Sequence, residues 1–216
     1  MARVVSPDTL KTVFVVERDD ALRADLRDCL AAHGFAVRDF RSAESFLEIL
    51  PAAGPACVVV DQHLPGLSGP ALQQKLLGNA ALAVVFVTDS GDVPTVVEAM
   101  KQGAVDFLAK PIQEEQLVAA VNRGLQNAMR AEAQRQARDR FLERVQRLTA
   151  REREVAVCLV AGLSNRQIAT DLGMTEKTAK VHRSHVMAKL EVGSVAELVR
   201  LAETTRPSPI ARPDGH

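Results

Sequence analysis

Residues 148–201 of the chain read LTAREREVAVCLVAGLSNRQIATDLGMTEKTAKVHRSHVMAKLEVGSVAELVRL, and this pattern predicts a small domain of four helices. Thr149 and Glu152 have the spacing of a capping box, and apolar residues then recur at the helical period. Ser164 is expected to cap a second helix and Thr175 a third, each after a turn that contains glycine. Three consecutive helices therefore carry their own start signals.

The third predicted helix carries most of the cations of this segment. Lys180, Arg183 and Lys189 alternate along it with Ala179 and Val186, which recur at the spacing of a buried face. Two helices joined by a short turn, with cations on the second, form the helix-turn-helix arrangement that fits the major groove of DNA. The segment therefore predicts double-stranded DNA as a partner.

The same segment resembles the LuxR-type helix-turn-helix domain of bacterial transcription regulators, whose pattern reads roughly L-T-x-R-E-x-E-V, G-x-S-N-x-x-I-A and T-V-K-x-H. The matching residues are Leu148, Thr149, Arg151, Glu152, Glu154, Val155, Gly162, Ser164, Asn165, Ile168, Ala169, Thr178, Lys180, His182, Lys189 and Leu190. Ala179 stands where valine is usual, and Val195 stands where many members have arginine. Neither departure is expected to change the fold.

The resemblance also implies which residues of this domain contact DNA. The residues expected to face base edges are Lys180, Val181 and Ser184. The residues expected to lie near phosphates are Asn165, Thr178, His182 and Arg183. Any one of them taken alone fits a solvated helix face as well, but phosphate and base contacts from one helix explain the ordered pattern.

The first half of the chain alternates short apolar runs with amphipathic stretches. The predicted strands are Val13–Val16, Val37–Phe40, Cys57–Val60, Val84–Val87 and Asp106–Leu108. The predicted helices are Ala21–Ala32, Ala43–Leu50, Ser68–Leu77, Val93–Lys101 and Glu114–Gly124. This alternation predicts an α/β fold with a parallel sheet covered on both faces, in which ligands bind at the carboxyl ends of the strands. The residues at those ends are Glu17, Arg18, Asp61, Thr88, Asp89 and Lys110.

These positions resemble the receiver domain of two-component response regulators, over about residues 12–124. The resemblance rests on CVVVDQHLPGLSG, on VTDSGDVPTVVEAMKQGAVDFLAKP and on HGF before the second strand. Together with the LuxR-type segment, the chain resembles response regulators of the FixJ/NarL type. The resemblance implies a flavodoxin-like, doubly wound sheet of five parallel strands, followed by a long linker helix and an all-α four-helix domain.

The resemblance further implies a phosphorylation switch at the end of the third strand. Asp61 would accept a phosphoryl group from a sensor histidine kinase, and Thr88 and Lys110 would each bind a phosphate oxygen. Phe107 would be the aromatic that turns inward on activation, and the Lys110–Pro111 bond would be cis. The Asp61 carboxylate and the phosphoryl group are both negative, so cations must neutralise the charge of the transition state. In this family Mg²⁺ does so together with the lysine.

The sequence departs from the family at the metal site, where Arg18 occupies the second of two acidic positions. Glu17, Asp61 and the main-chain carbonyl of His63 remain as candidate ligands for Mg²⁺, which prefers oxygen donors. We expect the Arg18 guanidinium to repel the ion and to form a bidentate pair with Asp61. A shift of one residue would instead make Asp19 the ligand.

Asp89 is a second departure from the family. The position after the threonine usually holds a small residue, whereas a carboxylate here adds charge and bulk beside the path of the phosphodonor. The alternative is that Asp89 points to solvent or pairs with Arg18.

Composition predicts four regions with different tasks. These are a receiver domain at 10–124, a helical linker at 125–146, a helix-turn-helix domain at 147–203 and a flexible tail at 204–216. Residues 1–122 hold 10 Lys/Arg against 16 Asp/Glu, whereas residues 123–203 hold 15 against 10. Leu125, Met129, Phe141, Val145 and Leu148 form an intermittent apolar seam in or beside the linker, which fits either a coiled coil or a solvated helical spacer.

The hydropathy pattern and the cysteines predict the cellular compartment and the redox chemistry of the chain. No run of residues approaches the length of a membrane span and no signal peptide opens the chain, so a cytoplasmic protein without a membrane partner is expected. Cys29, Cys57 and Cys158 lie far apart in apolar surroundings, which favours buried free thiols over a disulfide or a metal site. Enzyme activity is not predicted, because no residues near Asp61 are arranged for hydrolysis.

The preferred hypothesis is a dimeric, DNA-binding transcription regulator whose atypical receiver works with little or no phosphorylation. One alternative is a conventional response regulator activated by Mg²⁺-dependent phosphorylation of Asp61. Another is an adaptor whose receiver docks a partner protein. Binding to promoter fragments that weakens steeply with salt separates a regulator from an adaptor.

Overall fold

The computed structural model describes residues 11–49, 54–89 and 93–205. The chain divides into two compact units, Met1–Ala133 and Gln134–His216, called here the N-terminal unit and the C-terminal unit. Each unit is described by itself. Among the helices of the described residues, none combines the length and the apolar character that a membrane span requires.

The N-terminal unit is built on five parallel strands in the order β2-β1-β3-β4-β5. The strands are β1 Thr12–Val16, β2 Ala36–Phe40, β3 Ala56–Asp61, β4 Leu82–Thr88 and β5 Asp106–Ala109. The predicted five-stranded, doubly wound parallel sheet is confirmed, with each strand within two residues of its predicted start and one of its predicted end. β3 is buried along its whole length, as its uninterrupted apolar run predicts.

Five helices connect and follow these strands. They are α1 Asp20–Ala32, α2 Ala43–Glu48, α3 Gly69–Leu76, α4 Val93–Lys101 and α5 Glu114–Gln146. Asp19, Ser42 and Ser68 cap α1, α2 and α3 by accepting backbone N–H groups. The predicted end of the second helix at Leu50 lies outside the described residues, and α2 itself ends at Glu48.

Alternate side chains of the sheet supply two cores. Val13 and Val15 face α1 and α5 in one core, together with Leu30 and Leu117. Phe14 and Val16, which point to the opposite face of the sheet, pack against α2, α3 and α4 in the second core. This second core contains three mutually packed aromatic rings, those of Phe14, Phe40 and Phe46, at centroid distances of 5.3–6.2 Å.

Helix α5 runs without interruption through Gly124, where the sequence suggested an end or a bend. A Cβ atom at this glycine would lie 2.8 Å from Cys57 Sγ, so the absence of a side chain lets α5 approach the sheet. The apolar seam is not one continuous stripe. Leu125 packs in the core beside α1, Phe141 packs in the core of the C-terminal unit, and Met129 is 55% exposed.

The C-terminal unit contains the end of α5 and four further helices. These are α6 Ala150–Val160, α7 Asn165–Asp171, α8 Glu176–Leu190 and α9 Val195–Thr205. Thr149 and Ser164 form capping boxes with Glu152 and Gln167, and Thr175 caps α8. The predicted four-helix domain is confirmed. Helix α9 includes two residues of the expected tail, and the rest of that tail lies outside the described residues.

The apolar positions of the predicted helices form the core of this unit. Val155, Leu159, Ala179, Val186 and Leu190 are each no more than 1% exposed. The prediction of three buried thiols is correct only in part. Cys57, in the sheet, is fully buried, whereas the other two free cysteines are only partly covered because they lie on the helices that form the outer layers.

Candidate functional site

The carboxyl ends of the strands bring together a buried cluster of charges. Glu17 follows β1, Asp61 ends β3 and Lys110 follows β5. The Lys110 ammonium donates to Glu17 Oε2 at 2.9 Å and lies 3.4 Å from Asp61 Oδ2. Both carboxylate side chains are inaccessible to solvent, and the Lys110 side chain is 13% exposed. The cation and the two acids therefore line a single pocket.

Asp61 uses its two oxygens unequally. Oδ1 accepts the backbone N–H of His63 at 3.0 Å, whereas Oδ2 is buried and has no hydrogen-bond donor among the described residues. Arg18 Nε lies 3.8 Å from Oδ2. The predicted bidentate pair is therefore wrong: the Arg18 side chain is 53% exposed and reaches the fully buried carboxylate with one nitrogen at ionic distance.

The neighbouring acids have different surroundings. Asp19 caps α1 and accepts the backbone N–H groups of Ala21 and Leu22 at 2.9 and 3.0 Å, so its carboxylate is already committed to the helix. The Asp89 side chain is 61% exposed, and its cationic neighbour is Lys110 at 3.9 Å. Of the two alternatives for Asp89, the structure agrees with exposure to solvent and not with a pair to Arg18.

The surroundings in the pocket shift the pKa values of Glu17 and Lys110. Burial raises the pKa of Glu17, although its hydrogen bonds from Asp19 N–H and Lys110 oppose the shift. Burial alone would lower the pKa of Lys110, but the hydrogen bond to Glu17 and the charges of Glu17, Asp61 and Asp89 outweigh it, so the pKa is raised. Lys110 is therefore a permanent cation at neutral pH.

A residue that sequence reasoning missed lies beside the predicted phosphate ligands. Gln62 follows Asp61 directly, is 7% exposed, and accepts the Thr88 hydroxyl with its side-chain oxygen at 2.7 Å. The sequence offered a signal for Gln62, because a polar residue stands directly after the acid that ends the third strand. Phe107 is half-buried and packs its ring 5.5 Å from that of Phe86. The peptide bond between Lys110 and Pro111 is cis, as the resemblance predicts.

The residues of the pocket do not fit Mg²⁺ well. Glu17 already accepts Asp19 N–H with Oε1 and the Lys110 ammonium with Oε2. The orphaned oxygen of Asp61 would suit a metal, but it faces two cations at 3.4 and 3.8 Å. A divalent ion would have to enter beside both of these charges, because Arg18 stands where the family has a second acid.

Helix α8 presents the predicted DNA contacts on its surface. Thr178, Lys180 and Ser184 are exposed, and Val181 is an apolar side chain that is 46% exposed. An exposed valine between polar residues is suited to contact a thymine methyl group. The geometry is therefore compatible with base reading by the residues that the resemblance selects, whose roles stay predictions.

The remaining predicted contacts join α7 to α8. Arg183 donates to Asn165 at 3.5 Å, so the two side chains meet at the corner between these helices. His182 is half-buried, and its Nδ1 has no hydrogen-bond partner within the described part of the chain. Lys189 donates to Glu152 at 2.6 Å. Lys189 thus holds α8 against the start of α6, and its charge is compensated.

Comparison with known proteins follows the same division of the chain. Residues 13–122 match the response regulator receiver domain, and residues 146–202 match the bacterial regulatory proteins of the luxR family. The chain belongs to the response regulators. It is a two-component transcription regulator with a LuxR-type DNA-binding domain.

Similar proteins share nearly the whole length of this response regulator. The transcriptional regulatory protein FixJ of Azorhizobium caulinodans is 42% identical over 197 residues, which cover 91% of this chain and 93% of FixJ. The response regulator protein TodT of Pseudomonas putida is 32% identical over 203 residues, covering 93% and 89%. The solved structure of the response regulator StyR is 43% identical, covers 90% of this chain and 99% of StyR, and superposes with a TM-score of 0.75.

Proposed function

We propose that this response regulator binds promoter DNA with little or no Mg²⁺-dependent phosphorylation of Asp61. The main support for this proposal is that Arg18 and Lys110 place two positive charges within 3.8 Å of the buried Asp61 Oδ2. In a conventional receiver the charge opposite the aspartate comes from the metal and the lysine. Here the guanidinium of Arg18 supplies a positive charge at that place.

Arg18 is suited to bias the receiver toward one of two states. Its interaction with Asp61 is ionic rather than hydrogen-bonded, and half of the side chain is in water, so the contact is weak enough to be exchanged. A receiver with two conformations responds to any charge change that favours one of them. Partner binding near the exposed part of Arg18 is therefore an alternative input to phosphorylation.

The decisive variant is Arg18→Asp, which returns an acid to the metal position. It should bind Mg²⁺ more tightly than the parent, and acetyl phosphate should then modify Asp61 and alter DNA binding. Because the chain contains no Trp or Tyr, intrinsic fluorescence cannot report binding. Calorimetry for Mg²⁺, ¹⁹F NMR for beryllofluoride and mass spectrometry for the aspartyl phosphate are suitable measurements.

Lys75→Asp is the matched control, since it makes the same charge change at an exposed site on α3. It should leave both Mg²⁺ affinity and phosphorylation as in the parent. Rapid, Mg²⁺-dependent labelling of the parent at Asp61 would overturn the proposal, and the conventional phosphorylation switch would replace it. A parent protein without salt-dependent affinity for promoter DNA would instead favour the adaptor hypothesis.

The DNA-bound form of this proposal is a cytoplasmic homodimer on two half-sites. Helix-turn-helix dimers place their recognition helices about one turn of DNA apart, roughly 34 Å, so operator symmetry mirrors protein symmetry. Sedimentation of the complex on a fragment with two half-sites should give two chains per DNA. A footprint that covers one half-site, with binding linear in protein concentration, would contradict the dimer.

In this proposal, the receiver obtains its signal from contact with another protein. A receiver domain implies interaction with a sensor histidine kinase, and the same surface remains available when phosphoryl transfer is slow. A kinase that binds the parent without labelling it would support the proposal. Labelling by that kinase at the rate of a conventional receiver would count against it.

A further inference from the structure

Three side chains of different chemistry meet where the end of α1 lies near the start of α5. Cys29 and His33 lie one turn apart at the end of α1, and Glu114 begins α5. The Cys29 sulfur, an imidazole nitrogen of His33 and a Glu114 carboxylate oxygen all lie within 4.8 Å of one another. These residues take no part in the charge pocket around Asp61.

The His33 ring is held in the orientation of a metal-binding histidine. Its Nδ1 lies 3.0 Å from the main-chain carbonyl of Cys29. Because a carbonyl oxygen only accepts, Nδ1 carries the hydrogen, and Nε2 is left facing Glu114 Oε1 at 3.4 Å. Histidine ligands commonly donate one ring nitrogen to a carbonyl and bind the metal with the other.

The end of α1 itself sets this orientation. The last four carbonyls of a helix have no partner within the helix, and that of Cys29 is among them. The His33 ring satisfies it, so the ring position follows from helix termination rather than from the proximity of Glu114. The partial negative charge at the carboxyl end of α1 also favours a cation there.

We propose that Cys29, His33 and Glu114 form a binding site for Zn²⁺. A sulfur, a nitrogen and one carboxylate oxygen suit Zn²⁺, whereas Mg²⁺ and Ca²⁺ prefer oxygen alone. Bonds of about 2.0–2.3 Å in a tetrahedron place ligand atoms about 3.3–3.8 Å apart. His33 Nε2 and Glu114 Oε1 already lie 3.4 Å apart, and no pair in the cluster exceeds 4.8 Å, so the sulfur has to approach by at most about 1.5 Å. The side chains of His33 and Glu114 are 37% and 62% exposed, which leaves room for this movement and for water as the fourth ligand.

Binding replaces one proton. Burial raises the pKa of the Cys29 thiol and the charge of Glu114 raises it further, so the sulfur is protonated at neutral pH. Zn²⁺ binds the thiolate, and the thiol proton passes to solvent. The metal also neutralises the Glu114 carboxylate, which removes the repulsion between that group and the thiolate.

The first test uses the metal-free, full-length protein and Co²⁺ as a spectroscopic substitute for Zn²⁺. One equivalent of Co²⁺ should produce a thiolate-to-cobalt absorption band, and Zn²⁺ should abolish it by competition. Cys29→Ser should remove the band, and Glu114→Gln should weaken binding by roughly tenfold or more. Cys158→Ser is the matched control, because it removes the other partly covered thiol. It should leave the band unchanged.

The second test does not depend on any single variant. Zn²⁺ should slow alkylation of Cys29 in the parent, as measured by mass spectrometry, and should protect it less in Glu114→Gln. Since Glu114 is exposed at the start of α5, this variant is expected to keep the fold. A simple ion pair of His33 with Glu114 predicts no protection by Zn²⁺. That result, a band that persists in Cys29→Ser, or a band lost in Cys158→Ser would overturn the proposal.

Discussion

Each unit of the chain buries a carboxylate beside a lysine, but the two are satisfied differently. In the C-terminal unit, Glu152 accepts the Thr149 backbone N–H at 2.8 Å and the Lys189 ammonium at 2.6 Å with the same oxygen, Oε2. In the N-terminal unit, Asp61 Oδ2 is buried without a hydrogen bond while two cations stand 3.4 and 3.8 Å away.

The difference separates a carboxylate that is committed to the fold from one that keeps an oxygen available. The interactions of Glu152 are short, and they lower its pKa to about 2, chiefly through the hydrogen bond from Lys189. Both interactions occupy Oε2. Asp61 keeps an oxygen unsatisfied inside its pocket, and a buried acceptor without a donor costs free energy. Such a group is expected where another charge arrives during function.

The largest expected effect concerns the surface of the C-terminal unit, where polar groups of α8 remain open to a partner. Lys180→Ala and Arg183→Ala should each weaken binding to promoter DNA by about 1–3 kcal/mol if the side chain meets a base. If it meets only phosphate, the slope of log affinity against log salt should fall by about one unit. Mobility shifts over a range of salt concentrations distinguish the two contacts.

Arg200→Ala is the control for this prediction, since Arg200 is an exposed arginine on α9 rather than α8. It should change DNA affinity less than either substitution. A Lys180→Ala, Arg183→Ala double variant that binds DNA like the parent would exclude α8 as the reading helix.

An effect of similar size, on stability rather than on DNA binding, is expected in the packing of the N-terminal unit. Gly124→Ala adds a Cβ atom 2.8 Å from Cys57 Sγ, too close for a rigid core. The substitution should destabilise the receiver by about 1–3 kcal/mol, even though alanine is the better helix former. Urea unfolding followed by circular dichroism measures the change.

Cys57→Ala should rescue Gly124→Ala, because it removes the sulfur that the new methyl group meets. The double variant should then be more stable than the sum of the single effects predicts. If Gly124→Ala alone stabilises the protein, the helix is free to move away from β3 and the glycine serves no packing role.

The smallest expected effect is the loss of one hydrogen-bonded charge in the C-terminal unit. Glu152→Gln should destabilise this unit by about 1 kcal/mol at neutral pH, because the amide can still serve in the capping box but loses the charge that faces the partly exposed Lys189. The pKa of Glu152 falls from 4.5 to about 2 on folding, so its contribution is complete above about pH 4.5 and is lost as the pH falls towards 2.

Hydrogen exchange of the α6 amides in the full-length protein measures this contribution. Parent and Glu152→Gln should differ at pH 7 and converge only as the pH falls from 4.5 towards 2, where the carboxylate of the folded parent becomes protonated. Gln146, at the exposed end of α5, offers a control substitution, Gln146→Glu, that should leave exchange in α6 nearly unchanged. Equal exchange in parent and variant at pH 7 would show that the charge of Glu152 contributes little.

Elements with local signals were predictable from the sequence. The capping boxes of Thr149 and Ser164 each join residues three apart, so their spacing is visible without a structure. The strands were visible because apolar residues run without interruption through β3 and β4. The register of the arginine stayed open in the sequence, because a shift of one residue would have made Asp19 the metal ligand, and the structure commits Asp19 to the N-cap of α1.

The sequence by itself determined the order of the elements, the helix caps and the identity of the residues at the strand ends, because each depends on neighbours within a few positions. Only the tertiary structure decided that Arg18 meets Asp61 through one nitrogen, that Gln62 takes the Thr88 hydroxyl, and that Glu114 faces Cys29. These contacts join residues from separate elements. Their distances and burial depend on how strands and helices pack, and no local pattern records that.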